Sequence, residues 1–197
     1  GVYSVTTTSL PDGVYTLTAV VTDSAVNTSP ASPPFVLVVD TAAPAAPTIT
    51  GASPTNDATP SLAGTAEPNS EVVIDDGDTE IGQATVDSSG AFSFVTPTLS
   101  EGLHSITAIA KDAAENTSTA SGSLSLVIDL TPPVITLTGA NVTVAHAGTY
   151  TEPGVAALDV VDGVITVTPT STINVSVVGV YTVSYSAIDA AGNSSTA

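Results

Sequence analysis

One short stretch occurs three times in this chain, and it constrains the fold more than any other feature. Each copy starts at a glycine and reaches an aspartate ten residues later, in the pairs Gly13 and Asp23, Gly102 and Asp112, and Gly179 and Asp189. The glycine lies in a turn, the following residues alternate apolar and polar side chains as a half-buried strand does, and the aspartate opens a loop. Repetition at a fixed internal spacing indicates one structural unit used several times.

The period of the repeat sets the size of the domain. Asp40 and Asp129 lie 89 residues apart, as do Asp23 and Asp112, and a period of about 90 residues is the size of an immunoglobulin-like (Ig-like) domain. Residues 44–129 are therefore expected to form one complete domain. Its seven predicted strands are Thr48–Thr50, Pro60–Ala66, Glu71–Asp75, Ile81–Val86, Ala91–Thr96, Leu103–Lys111 and Leu124–Ile128. Short strands separated by turn residues, with no helical period, predict an all-β fold of tandem Ig-like antiparallel β-sandwiches in an extended rod.

The two flanking parts are expected to be incomplete versions of the same architecture. Residues 1–40 offer three strands, at 2–8, 14–22 and 35–39, and are interpreted as the C-terminal part of an Ig-like domain. Residues 132–197 are interpreted as an Ig-like domain of a second subtype that lacks its last strand, because the chain stops just after the acidic loop. We therefore expect the chain to be a segment of a longer protein.

The charge of the chain restricts its partners. Nineteen acidic residues and a single basic one, Lys111, give a net charge of −18, so nucleic acid and anionic lipid would be repelled and cations attracted. No apolar run is long enough to span a membrane, and we expect no membrane insertion. Cysteine is absent, which excludes disulfides. Small extracellular domains without disulfides need another source of stability, and a bound metal often supplies it.

Several short sequence segments resemble those of known bacterial families. The middle domain carries AGTAEPNS (63–70), EGLHSITA (101–108), DAAENTS (112–118) and IDLTPP (128–133), and resembles the tandem bacterial Ig-like repeats of giant surface adhesins. The last domain carries PVITL (133–137), YTEPGV (150–155) and IDAAGN (188–193), and resembles bacterial surface Ig-like domains. These resemblances imply a secreted or cell-surface stalk, often held straight by calcium at domain junctions. Glu115 departs from the family pattern, which commonly has glycine there.

The acidic residues are expected to meet at the domain junctions. In an Ig-like sandwich the last strand ends at the pole that faces the next domain, while the loop before the third strand and the loop between the last two strands lie at the opposite pole. Ca²⁺ binds six to eight oxygen ligands from such groups, and we expect it as the cofactor at two sites. The first would use Asp40, Glu67, Asn69, Asp112 and Asn116, and the second Asp129, Asp159, Asp162, Asp189 and Asn193.

Other interpretations of the same residues remain open. Asp112 and Asp189 could simply accept N–H groups from their own loops. The acidic run from Asp75 to Glu80 fails the EF-hand spacing and favours a hairpin turn. Tyr15 and Tyr181 occupy equivalent positions and could form a contact like the tyrosine corner of Ig-like domains, with His104 in that position of the middle copy.

We expect a structural protein rather than an enzyme, because no nucleophile, phosphate-binding or HExxH motif is present. The main interpretation is a stalk segment of an extracellular bacterial adhesin that extends a distal ligand-binding region, with the neighbouring Ig-like domains of the same chain as its partners. The alternatives are a self-assembling fibre subunit that exchanges strands with other copies, and a glycan-binding accessory module of a secreted enzyme.

Overall fold

The computed structural model describes residues 4–139 and 141–197. These residues form fifteen strands in five antiparallel sheets, which confirms the prediction of an all-β fold. The described part of the chain contains no helix. It therefore offers no helical segment of the length and apolarity that crossing a membrane would require.

The N-terminal part contains one two-stranded sheet, in which β1 (Gly13–Leu17) pairs antiparallel with β2 (Phe35–Val39). The prediction of a strand at 2–8 is wrong over 4–8, which form no strand, and residues 1–3 lie outside the described part. Large apolar side chains on this sheet stay exposed, Phe35 by 64%, because no second sheet packs against it among the described residues.

The strand predicted over 14–22 ends at Leu17, and its continuation pairs irregularly. The hydroxyl oxygens of Ser32 and Ser29 accept the backbone N–H groups of Ala19 and Val21, at 3.0 and 3.1 Å. Ser121 and Ser118 accept the N–H groups of Ala108 and Ala110 in the same way in the middle domain. The serine hydroxyls thus take the place of backbone carbonyls along this edge in both copies.

The middle domain is a sandwich of two sheets, and all seven of its predicted strands are confirmed. One sheet has the order β3-β4-β7 and the other the order β6-β5-β8-β9. The strands are β3 (Thr48–Thr50), β4 (Ser61–Thr65), β5 (Glu71–Asp76), β6 (Thr79–Thr85), β7 (Ala91–Val95), β8 (Gly102–Lys111) and β9 (Leu124–Ile128). The hairpin turn interpretation of residues 75–80 is also confirmed, since β5 and β6 join through Gly77 at φ 60°.

Alternation along these strands builds the core. On β5, β8 and β9 every second side chain faces the other sheet and is withdrawn from water. The fully buried apolar side chains of this core include Leu62, Val72, Ile74, Ile106, Leu126 and Ile128. Burial of aliphatic side chains of this size contributes about 1.5–3 kcal/mol each, so the core rather than any ion pair holds the sandwich together.

The third domain also has two sheets. The first has the order β10-β11-β12 and the second the order β13-β14-β15. Their strands are β10 (Val134–Leu137), β11 (Val155–Asp159), β12 (Gly163–Ile165), β13 (Val167–Ser171), β14 (Val183–Ile188) and β15 (Ser194–Thr196). β15 pairs with β14 directly after the acidic loop, at the positions of the repeat that residues 117–119 hold in the middle domain. The expectation that this domain lacks its last strand stays a prediction.

The tyrosine-corner interpretation holds in all three copies of the repeated stretch. In each copy the aromatic side chain donates a hydrogen bond to the carbonyl oxygen of the residue four positions earlier. The three pairs are Tyr15 Oη to Pro11 at 2.7 Å, His104 Nε2 to Ser100 at 2.9 Å, and Tyr181 Oη to Val177 at 3.0 Å. The contact fixes the turn that leads into each repeated strand, and a histidine performs the same task as the tyrosines.

Candidate metal centre

The acidic loop of the third domain is built by local hydrogen bonds. Asp189 follows β14, and its Oδ1 accepts the backbone N–H of Asn193 while its Oδ2 accepts the Asn193 side-chain N–H, both at 2.8 Å. Gly192 takes the left-handed conformation at φ 95° that a glycine adopts without strain. The sequence Asp-Ala-Ala-Gly-Asn thus forms a closed turn that presents the asparagine side chain outward.

That asparagine contacts the preceding domain. The second side-chain N–H of Asn193 is donated to the backbone carbonyl of Asp129 at 2.8 Å. Asp129 directly follows β9, and its own N–H is donated to the carbonyl of Thr55 at 3.0 Å. The last residue of the middle domain is therefore held by both domains through its backbone, which fixes where its side chain lies.

The carboxylate of Asp129 is fully buried. Its Oδ1 accepts the backbone N–H of Thr131 at 3.3 Å, but its Oδ2 has no hydrogen-bond partner. A buried carboxylate oxygen without a partner is strongly unfavourable unless something else compensates its charge. The charge on this oxygen therefore has no compensating hydrogen bond within the described part of the chain.

Two further aspartates come from the turn between β11 and β12. Asp159 is buried, and its Oδ1 accepts the backbone N–H groups of Val161 and Asp162, at 2.7 and 3.0 Å. Its Oδ2 is buried and has no partner. Asp162 is exposed, and its Oδ2 accepts the N–H of Ala190 at 2.6 Å, which ties this turn to the acidic loop.

These residues converge on one point. Asp129, Asp162 and Asp189 each place a carboxylate oxygen within 4.8 Å of the other two. We call Asp129, Asp159, Asp162 and Asp189 the junction cluster. Carboxylate oxygens from three separate segments thus lie close together, and carboxylate oxygens are among the ligands that Ca²⁺ prefers.

The negative charge of the junction cluster is not compensated by a basic side chain. Burial raises the pKa of Asp129, and the negative charges of the three other aspartates raise it further, against the opposing effect of the Thr131 N–H. The only basic residue of the chain, Lys111, forms its ion pair with Glu115 elsewhere. Two like charges 4 Å apart repel by about 4 kcal/mol at an effective dielectric constant near 20. A divalent cation would remove this repulsion.

At the first junction an asparagine side chain makes the same hydrogen bond to the backbone of the preceding segment. Asn116 donates its side-chain N–H to the backbone carbonyl of Asp40 at 3.1 Å, as Asn193 does to Asp129. The carboxylate of Asp112 is satisfied by its own loop, since it accepts N–H groups from Ala114 and Asn116 at 2.8 to 2.9 Å. The Asn116 side chain is the main reason that the pKa of Asp112 is lowered.

The other residues expected at the first junction do not complete a site. The Asp40 carboxylate accepts the N–H of Ala42 at 3.0 Å, and Asn69 lies with Asp112 around a shallow depression. Asp40, Glu67 and Asp112 do not form a ligand group. Within residues 4–139 and 141–197 the one group of three or more consists of Asp129, Asp162 and Asp189. At this junction the loop-capping interpretation accounts for the contacts of Asp112.

Comparison with protein families gives two matches. Residues 43–130 match the family described as bacterial Ig-like domain, and residues 135–197 match the family described as bacterial surface protein, Ig-like domain. The chain carries two bacterial Ig-like domains of different families. Both families are described as Ig-like domains rather than as enzymes, and the second as part of bacterial surface proteins.

Solved structures add two similar chains. A BSP domain structure of a biofilm-associated protein is 20% identical with a TM-score of 0.38, and the match covers 62% of this chain and 20% of that one. Fibronectin(III)-like modules of Clostridium thermocellum CbhA are 21% identical with a TM-score of 0.37, and that match covers 60% of this chain and 64% of the other. The chain thus spans less than two thirds of either structure. No curated protein matches the sequence.

The Ig-like domains have one further junction contact that sequence reasoning missed. The hydroxyl of Thr131, in the second linker, donates to Glu101 Oε1 at 3.2 Å, and the hydroxyl of Thr41, in the first linker, donates to Asp12 Oδ1 at 3.0 Å. The signal was available, because an acidic residue precedes the repeated glycine at both positions. Asp12 and Glu101 therefore each hold a linker threonine.

Proposed function

We propose that this chain is a segment of the stalk of a bacterial surface adhesin, and that Ca²⁺ bound by the junction cluster stiffens the connection between its two Ig-like domains. The match of residues 135–197 to a family of bacterial surface proteins supports the location. Two domains in tandem, without a catalytic motif in the sequence, suit a segment that separates a distal binding region from the cell.

The observation that carries the calcium proposal is the partnerless Oδ2 of the fully buried Asp129. Asp112 and Asp189 each use both carboxylate oxygens in hydrogen bonds within their own loops. Asp129 instead leaves one oxygen unpaired beside Asp162 and Asp189, and Asp159 contributes a second unpaired buried oxygen. The residues that are present therefore fit a hard cation with a preference for several carboxylates.

The proposed role follows from which segments the cluster joins. Asp129 belongs to the end of the middle domain, while Asp159 and Asp162 belong to one turn of the third domain and Asp189 to another. A cation held among them would couple both domains at a single point and neutralise their repulsion. Loss of the cation would leave the junction with the Asn193 hydrogen bond and a concentration of negative charge that favours separation.

Calorimetric titration of Ca²⁺ into the chelator-treated protein tests the proposal. We expect one site, with a dissociation constant of about 10⁻⁴ to 10⁻³ M, the range of extracellular calcium modules. Asp162→Asn removes one charged ligand and should weaken binding by about tenfold or more. Asp78→Asn, in the exposed β5–β6 turn, removes the same charge away from the junction and is the matched control. Equal affinities for the two variants would refute the assignment of the site.

A further inference from the structure

The outward face of the sheet β10-β11-β12 carries a row of aliphatic side chains. Val134 lies directly opposite Leu158 in the ladder, and Leu158 lies directly opposite Val164, so the three side chains project from the same face of the sheet. Their exposed fractions are 67%, 60% and 84%. We call Val134, Leu158 and Val164 the apolar row.

The core of the third domain does not use the apolar row. The neighbouring positions of the same strands point the other way: Ala157 on β11 is buried, and Ile135 on β10 and Ile165 on β12 are partly buried. These side chains supply the inward face of the sheet. The apolar row is therefore a feature of the outer surface.

A comparable row in the middle domain has a different composition. Thr50, Ala63 and Ser93 lie directly opposite one another on β3, β4 and β7, and all three are exposed. That outward row consists of small or hydroxyl-bearing side chains. Exposed apolar residues that occur singly are common and need no explanation, whereas contiguous ones mark interaction sites. The apolar row is of the second kind.

The surroundings of the apolar row are acidic. Leu158 directly precedes Asp159, and Val164 follows Asp162 by two residues, so the β11–β12 turn with its two aspartates borders the row. Asp162 is exposed. Residues 131–197 contain four carboxylate side chains and no lysine or arginine. A partner that covers the row therefore meets negative charge at its border.

This charge argues against a second copy of the chain as the partner. Each copy has a net charge of −18, and a net charge so far from zero keeps proteins apart. Contact between two apolar rows would also bring the two acidic turns together, and like charges across an interface are unfavourable. A partner with basic residues around an apolar centre has the complementary charge.

We propose that the apolar row is a docking surface for a basic protein, which covers the three aliphatic side chains and places lysine or arginine residues beside the acidic β11–β12 turn. Removal of the row from water would supply the affinity. The opposite charges would select the partner and set its orientation. The contact needs no cation at the junction, because the row itself is uncharged.

The test uses three nonapeptides and the native chain in chelator, so that the result does not depend on the calcium site. KKVSVSVKK has valines between basic ends. KKSSSSSKK keeps the charge without the apolar side chains, and EEVSVSVEE keeps the valines and reverses the charge. Titration of each peptide into the ¹⁵N-labelled chain, followed by NMR, gives the affinity and the residues that respond.

We expect KKVSVSVKK to bind about tenfold or more tightly than either of the other peptides, with shifts centred on residues 134, 158 and 164. Equal affinity of KKVSVSVKK and KKSSSSSKK would overturn the proposal, because charge alone would then explain binding. Equal affinity of KKVSVSVKK and EEVSVSVEE would overturn the basic character of the partner. These comparisons use the native chain and need no variant.

Two double variants locate the site. Leu158→Thr with Val164→Thr removes most of the apolar row and keeps residues that favour strands. Val38→Thr with Val95→Thr makes the same kind of change at exposed positions of β2 and β7 and is the matched control. We expect the first pair to lower the affinity for KKVSVSVKK to that for KKSSSSSKK, and the control to keep the native affinity.

An equal loss of affinity in both double variants would overturn the assignment to the apolar row. Sedimentation velocity tests the second copy as the occupant. We expect the native chain to sediment as a monomer. A native dimer that Leu158→Thr with Val164→Thr converts to a monomer would overturn the proposal, because another copy of the chain would then cover the row.

Discussion

Asn193 donates one side-chain N–H to the backbone carbonyl of Asp129 and the other to the carboxylate of Asp189, each at 2.8 Å. The same residue thus closes the loop of the third domain and holds the end of the middle domain. Asn116 makes the corresponding pair of contacts with Asp40 and Asp112 at the first junction. At both junctions the asparagine of the repeat therefore holds the end of the preceding domain, and we call this contact the clamp. It forms at the second junction beside the junction cluster and at the first junction without such a cluster.

Replacement of this asparagine tests the clamp. Asn193→Ala leaves the Asp129 carbonyl and one oxygen of the buried Asp189 without partners, and we expect it to lower the free energy of unfolding of the third domain by about 1–3 kcal/mol. Urea unfolding measures the change. Asn174→Ala, whose side chain accepts a single exposed N–H from Ser176, is the control and should change stability by less. An equal effect of both variants would contradict the clamp.

The two junctions should respond differently to calcium. Both carboxylates accept N–H groups from their own loops, but Asp189→Asn removes a charge that lies close to Asp129 and Asp162, whereas Asp112 belongs to no such group among the described residues. We expect the first substitution to weaken Ca²⁺ binding by about tenfold or more, and the second to leave it unchanged. Calorimetric titration of both variants checks this. Weaker binding in Asp112→Asn would indicate a second site at the first junction.

His104 should make the stability of the middle domain depend on pH. Burial of the ring lowers its pKa, but the Ser100 carbonyl and the Asp76 carboxylate, which lie 2.9 and 2.6 Å from its two nitrogens, outweigh this and raise the pKa above the ordinary 6.5. Both partners are acceptors, so the doubly protonated ring satisfies both. Because the folded-state pKa is the higher one, the stabilisation is complete below about pH 6.5 and is lost as pH rises through the folded-state pKa.

His104→Tyr is the matched variant, since tyrosine occupies this position in the other two copies. The hydroxyl can still donate to the Ser100 carbonyl, but it does not titrate near neutral pH. Melting temperatures between pH 6 and 9 should therefore fall for the native chain and change less for the variant. The same pH dependence in both chains would show that another group is responsible.

Glu115 lies in the left-handed conformation at φ 71°, at the position of the repeat that Gly192 holds in the third domain. The left-handed conformation costs about 1–2 kcal/mol of folding free energy for a residue with a side chain. The exposed ion pair with Lys111 offsets about 0–1 kcal/mol of this cost. We expect Glu115→Gly to raise the free energy of unfolding of the middle domain by about 0.5–1 kcal/mol. Glu115→Ala loses the ion pair and keeps the strain. It should be the less stable of the two variants, and a reversed order would contradict the strain argument.

Local patterns were the features that the sequence predicted best. The alternation along Leu103–Lys111 and the turn at Gly77 depend on residues close together in the chain, and the structure confirms both. The spacing between Gly13 and Tyr15 was enough to identify the corner contact. Where pairing depends on a distant partner, as beyond Leu17, the predicted strand was too long. β8 continues past its serine contacts because β5 pairs with its other side, whereas β1 pairs only with β2 among the described residues.

The candidate site was harder to predict in detail. The repeat indicated which residues reach each junction, but which carboxylates converge within a few ångströms depends on the shape of the loop before the third strand. In the third domain the short β11–β12 turn brings Asp162 to the acidic loop. In the middle domain Glu67 shows no equivalent contact, and only its backbone carbonyl accepts a hydrogen bond, from Ser70. The sequence alone did not distinguish these two cases.

Small-angle X-ray scattering of the native chain, with saturating Ca²⁺ and with chelator, tests the central claim most directly. We expect the maximum dimension to be larger with Ca²⁺, because a cation in the junction cluster would restrict the angle between the two Ig-like domains. In Asp162→Asn we expect the same increase to need a Ca²⁺ concentration about tenfold higher or more. Identical scattering of the native chain in the two conditions, at a Ca²⁺ concentration shown by calorimetry to saturate the site, would contradict the claim.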